Sequence, residues 1–185
     1  ANARRAIPCF DQPDLKGRWT VTLEHPAQWQ SVANGAERDR QKTGDRVRVR
    51  FHATQPLPTY VVAFAAGVMK VETATRGGRT MRMFHRENDA AKLARNRDAL
   101  FDLHAQSLEA LEHYTGIPYP FGKFDFVLIP AFQPGAMEHA GNIAYSAEWL
   151  LLDESATQAD RLNRAWLIAH ETAHGWFGNL VTMRW

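Results

Sequence analysis

The chain has 185 residues, of which 45% are hydrophobic and 23% charged, and its formal net charge is +2. That balance suits one large globular domain or parts of two, and it excludes a disordered chain or one that meets its partner through bulk charge. The single cysteine, Cys9, excludes an internal disulfide and reads as a small buried apolar side chain.

Up to about residue 85 the pattern is strand-like. Trp19 to Leu23 alternates large apolar and polar residues and stops at His25-Pro26. Arg46 to Phe51 alternates strictly, with Val47, Val49 and Phe51 on one face. Tyr60 to Met69 is the longest nearly uncharged apolar run; it is too short to cross a bilayer and reads as a buried strand. Val71 to Thr75, a Gly77-Gly78 turn and Thr80 to His85 follow. Asn34-Gly35, Thr43-Gly44-Asp45 and Pro56-Leu57-Pro58 mark turns between the runs. Short strands at this spacing predict a sheet or sandwich.

From Asn88 to Tyr114 there is no Gly or Pro, and Leu93, Leu100, Phe101, His104, Leu108 and Leu111 fall at helical steps. This predicts a long amphipathic helix, ended by Gly116 and Pro118. Lys123 to Ile129 reads as a strand, Pro130 to His139 as a loop and Asn142 to Ser146 as a short strand. Thr157 and Asp160 form a capping-box pattern that opens a helix running to about Phe177. The change of pattern places a boundary near residues 84–90.

That last helix carries His170-Glu171-Thr172-Ala173-His174. Residues four apart share a helix face, so two imidazoles can aim at one point. Zinc takes neutral His nitrogens, and three protein ligands plus a water make a hydrolytic site. Glu171 falls beside such a water rather than on the metal, placed to take its proton and deliver it to a leaving amine. Random placement gives this pattern in roughly 2% of chains of this composition. The apolar flanks, Trp166 to Ala169 and Trp176-Phe177, argue further against coincidence, because unpaired buried His and Glu are costly.

A third ligand is still needed. The residues after His174, GWFGNLVTMRW, include no Asp, Glu, His or Cys. The ligand therefore comes from upstream, from Glu138, His139 or His113, or it lies beyond Trp185; the abrupt apolar end at Trp185 favours the second. A start on Ala1 rather than Met fits the same expectation, an internal piece truncated at both ends.

Four stretches then resemble, in order, segments of the zinc aminopeptidases of the aminopeptidase N type, in the gluzincin group. Arg4 to Pro13 (RRAIPCFDQP) is similar to ARxxFPCFDEP, Thr59 to Phe64 (TYVVAF) to TYLLAF, Gly135 to His139 (GAMEH) to GAMEN, and His170 to Thr182 (HETAHGWFGNLVT) to HELAHQWFGNLVT. The likeness covers essentially the whole chain. It implies His170 and His174 as ligands of one Zn2+ ion, with a Glu about 18 residues past His174, beyond Trp185, as the third. It implies Glu171 as the general base and Glu138 as the carboxylate that binds the free α-amino group of the substrate. The Gly135-Ala136-Met137 backbone would pair with the extended peptide. His139 stands where the family usually has Asn; an imidazole there can still hydrogen-bond the substrate but adds pH dependence.

The expected fold is α+β. Residues 1–86 are expected to form part of a β-sandwich N-terminal domain, and residues 87–185 the N-terminal portion of a thermolysin-like zinc peptidase catalytic domain. The expected function of the whole protein is that of a zinc metallo-aminopeptidase, hydrolysing N-terminal residues by zinc-activated water. Its partners are peptides with a free N-terminus; compartment and oligomeric state stay open. This piece alone is expected to bind zinc weakly and to lack peptidase activity. A zinc endopeptidase, an epoxide-opening relative or a non-catalytic binding module share the helix, but the GAMEH loop and the intact HExxH favour the aminopeptidase. Nucleic acid is set aside, because Arg46, Arg48 and Arg50 fall on the polar face of a strand with Asp39 and Asp45 nearby.

Overall fold

Alternation along β4 (Arg46–Phe51) organises the first sheet. Val47, Val49 and Phe51 turn inward, and β4 pairs antiparallel with β1 (Thr22–Pro26) on one side and β3 (Glu37–Thr43) on the other. The computed structural model describes residues 3–184; Ala1, Asn2 and Trp185 lie outside them. β1 runs through His25-Pro26, where the sequence predicts a stop. It is an edge strand, and there the missing proline N–H leaves no ladder bond unmade. The arginines of the polar face are paired: Arg46 and Arg48 with Glu24 at 3.0 Å each, Arg50 with Asp39 at 3.7 Å. That accounts for the basic run as a solvated sheet face.

β2 (Gln30–Ala33) and β5 (Phe64–Gly67) form a separate antiparallel ribbon. The Tyr60–Met69 run is therefore not one buried strand. Thr59–Val61 makes a short 3-10 turn, β5 starts only at Phe64, and Phe64 and Val68 are each 61% exposed. A run without alternation does not say which face is inward, and the ribbon buries only one.

The third sheet runs β6-β7-β8-β10-β9. β6 (Lys70–Arg76) and β7 (Arg79–His85) are the hairpin expected around Gly77-Gly78. β7, β8 (Phe124–Ile129) and β10 (Asn142–Ser146) run parallel, and β9 (Ala136–Met137) closes the edge antiparallel to β10. The sheet thus draws two strands from residues 1–86 and three from 87–185.

α1 (Ala90–Thr115) makes the crossover between β7 and β8. Asp89 caps its first turn, accepting from the Ala91 and Lys92 N–H groups, and Gly116 ends it at φ 67, a left-handed position suited to glycine. After β10 come a short α2 (Ala147–Leu150), which no sequence signal predicted, and α3 (Gln158–Ala173). Leu100, Phe101 and Leu108 of α1, Leu167 and Ile168 of α3, and Trp176 cover one sheet face, built from Met81, Met83, Phe124, Phe126 and Tyr145. The β2–β5 ribbon covers the other through Val32 and Ala65 against Phe84 and Val127. β8, buried from both sides, accordingly reads as a nearly unbroken apolar run. No helix among the described residues is long and apolar enough to cross a membrane.

Candidate active site

The capping box predicted for α3 is present. The Asp160 N–H donates to Thr157 Oγ1 at 3.2 Å, and the Thr157 N–H donates back to the Asp160 carboxylate at 2.8 Å. The helix ends at Ala173 rather than near Phe177, because the chain turns through Gly175 and Gly178, the latter at φ 134. Its inward face is Arg164, Leu167, Ile168, Glu171 and Thr172. The opposite face stays open: Leu162 is 61% and Trp166 65% exposed, and His170 lies on the same side. The motif therefore stands on an exposed rim with Glu171 and Thr172 turned in.

His170 and His174 meet as the i, i+4 spacing requires. Their Nε2 atoms are 3.3 Å apart, the rings nearly perpendicular at 88°, and His170 stacks on Trp166 at 5.1 Å. His174 Nδ1 lies 2.9 Å from the Phe177 carbonyl oxygen. A carbonyl only accepts, so Nδ1 carries the proton and Nε2 offers a lone pair toward His170. Two nitrogens bound to one tetrahedral cation at about 2.0–2.1 Å stand about 3.3–3.4 Å apart. The Nε2 separation of the pair matches that spacing.

Glu138 reaches the same place from the loop after β9. Glu138, Glu171 and His174 each offer a ligand atom within 4.8 Å of the others, so one loop meets one helix and its C-cap; His170 is not among the three. Glu171 is 6% exposed, and its buried Oε2 has no hydrogen-bond partner. Burial pushes its carboxyl up to about 7; the charge on Glu138 adds to this and His174 opposes it. A cation between the two histidines would pull it back down. The cleft beside these groups measures about 630 Å³ and is lined by Pro13, Tyr60, Glu138, His174, Phe177 and Val181.

The remaining upstream candidates stay apart from this group. His113 is exposed on the last turn of α1. The His139 ring is half-buried with Nδ1 unpartnered, and burial drives its pKa down to about 4. Gly135 is buried under Trp149, and Ala136 and Met137 lie on the sheet edge in β9.

Several residues around the site gave no functional signal in the sequence. Asn179 is 2% exposed; its Nδ2 donates to the Glu138 carbonyl oxygen at 2.8 Å while its own N–H donates to His174 O at 3.0 Å, so one residue bridges loop and helix. A polar residue inside the apolar stretch Trp176 to Val181 was the available clue. Asn34, Tyr119 and Lys123 grip the loop just beyond Glu138.

Comparison with known proteins gives the same order of parts. A family model described as the peptidase M1 N-terminal domain matches residues 1–61, and one described as the peptidase family M1 domain matches residues 100–185. The chain is 37% identical over 187 aligned residues to aminopeptidase M1-A of Oryza sativa subsp. japonica, 35% over 190 to aminopeptidase N of Haemonchus contortus, and 36% over 186 to the mitochondrial aminopeptidase 2 of Saccharomyces cerevisiae. Each alignment covers 100% of this chain but only 21%, 19% and 19% of the relative, so the chain spans about a fifth of the length of these proteins.

Proposed function

The chain belongs to peptidase family M1, and on that premise we propose that it carries the zinc-binding helix, the general base and the amine-binding loop of an aminopeptidase acting on peptides with a free N-terminus. His170 and His174 would hold the metal, and the resemblance implies a Glu about 18 residues past His174 as the third ligand. When bound, zinc supplies Lewis-acid polarisation and brings the pKa of a water toward neutrality. Glu171 takes the proton of the attacking water on its unpartnered oxygen and returns it to the leaving amine. Glu138 holds the substrate ammonium by charge-assisted hydrogen bonds. The free edge of β9, with Gly135 before it, offers backbone groups to an extended peptide.

The observation that carries this reading is the convergence of Glu138 with Glu171 and His174 within 4.8 Å. On this reading the second carboxylate beside the base is there for the substrate ammonium. It measures the distance from the scissile bond to a charged terminus, and so favours removal of a single N-terminal residue. The test compares hydrolysis of matched free-amino and N-acetylated peptides by the protein at its full natural length. The free-amino peptide is expected to be cleaved far faster; equal rates would overturn the reading.

A further inference from the structure

The backbone from Glu138 to Gly141 is held at four points. Asn179 Nδ2 donates to the Glu138 carbonyl oxygen at 2.8 Å, and Asn34 Nδ2 donates to the Ala140 carbonyl oxygen at 2.8 Å. The Gly141 N–H donates to Tyr119 Oη at 3.0 Å, and Lys123 Nζ donates to the Gly141 carbonyl oxygen. Three of these grips come from the half of the chain that carries the catalytic helix. Asn34 comes from the other half, at the end of β2, 106 residues away in sequence.

Asn34 is 4% exposed, and its amide is fully used. Nδ2 donates to the Val61 and Ala140 carbonyl oxygens at 2.9 and 2.8 Å, and Oδ1 accepts from the Ala63 N–H at 2.7 Å. Among residues of this size only an amide can give two hydrogens and accept one at once. The contact is also close. Gly141 has φ 70, and a Cβ on it would lie 2.6 Å from the Asn34 carbonyl oxygen, so the strap rests directly on this residue. The gripped Ala140 carbonyl lies two residues after Glu138. The His139 N–H donates to Met137 O and the Asn142 N–H to His139 O, both at 2.9 Å, which closes one tight turn at Glu138 and a second from His139 to Asn142.

We propose that Asn34 is a positioning residue for Glu138: through this amide the N-terminal sheet sets where the amine-binding carboxylate stands relative to α3. The amine-binding part rests on the function proposed above; the clamp itself does not. A buried amide spent on holding two carbonyls and one N–H from two distant segments transmits any shift of the β2–β5 ribbon to the loop. The first half of the chain thereby becomes part of the specificity apparatus rather than a separate support.

The test uses the protein at its full natural length and has two arms. In hydrogen exchange, the His139 and Asn142 amides of the unsubstituted protein should exchange as slowly as those of Ile143 to Ser146 in β10. In N34D, which keeps the acceptor for Ala63 but loses the paired donors, they should exchange at least about tenfold faster while β8 is unchanged. In steady-state kinetics, N34D should raise KM for a free-amino peptide about tenfold, with little change in kcat and none in the cleavage of the N-acetylated peptide. A mere loss of folded enzyme would lower kcat on both peptides and leave KM alone. Unchanged exchange in N34D overturns the clamp. So do strap amides that exchange about a hundredfold faster than those of Ile143 to Ser146 in the unsubstituted protein, a measurement that needs no variant to fold. Faster strap exchange in an enzyme without any preference for free amines upholds the clamp and overturns the role given to Glu138.

Discussion

Lowering the pH from roughly 7.5 to roughly 5 should cost the folded chain about 2 kcal/mol through His104 alone. α1 places this imidazole in the core, 0% exposed and face to face with Phe126 at 4.1 Å. Nδ1 lies 2.7 Å from the Leu100 carbonyl oxygen and so carries the proton; Nε2, 3.1 Å from Tyr145 Oη, accepts from that hydroxyl. Burial drives the pKa down to about 4 from 6.5, with the Leu100 carbonyl opposing. Because the folded value is depressed, the unfolded chain binds the proton first. Stability is complete above about pH 6.5 and falls as the pH drops toward 4. The interval sets a ceiling of roughly 3.4 kcal/mol, of which about 2 is lost by pH 5. Urea unfolding of the protein and of H104F at both pH values isolates the effect. The substitution deprives Tyr145 of its acceptor at every pH, so only the difference in pH dependence belongs to the imidazole. Equal pH dependence in the two proteins would refute the reasoning.

E171Q keeps the volume of the base but cannot take a proton. Hydrolysis should fall by at least about 10²–10⁴-fold, with zinc uptake by calorimetry unchanged; full activity would remove Glu171 from the mechanism. W176A should cost about 3–5 kcal/mol, because the indole is 2% exposed, donates to Ile117 O at 2.9 Å and packs edge-on to Tyr119. A loss under about 1 kcal/mol in thermal unfolding would show that the core tolerates its absence. R48A should cost less than about 1 kcal/mol, since its pair with Glu24 is half-exposed on both sides. A larger loss that persists in high salt would mean that this sheet face is not simply solvated.

Much of the fold follows from local patterns that tertiary packing leaves in place. The alternation of Arg46–Phe51, the hairpin around Gly77-Gly78 and the helix from Asp89 to Gly116 each satisfy their own backbone groups or present one apolar face. Tyr60 to Met69 offers no such period, and its split into a turn and a half-exposed strand is decided by which neighbours reach it. The end of α3 is set by turns at Gly175 and Gly178 that the apolar pattern runs through unmarked. His170, Glu171 and His174 were legible because their chemistry lies within one helical turn. Asn34 was legible only as a turn residue, since its side-chain partners Val61, Ala63 and Ala140 are brought to it by the fold.

The account stands most directly on Glu138 as the group that recognises a free N-terminus. The measurement is kcat/KM for a free-amino peptide divided by that for its N-acetylated counterpart, in the protein at its natural length and in E138Q. The account predicts a large ratio that collapses by at least about a hundredfold in the variant, through loss of the free-amino substrate alone. A ratio that survives the substitution would contradict it.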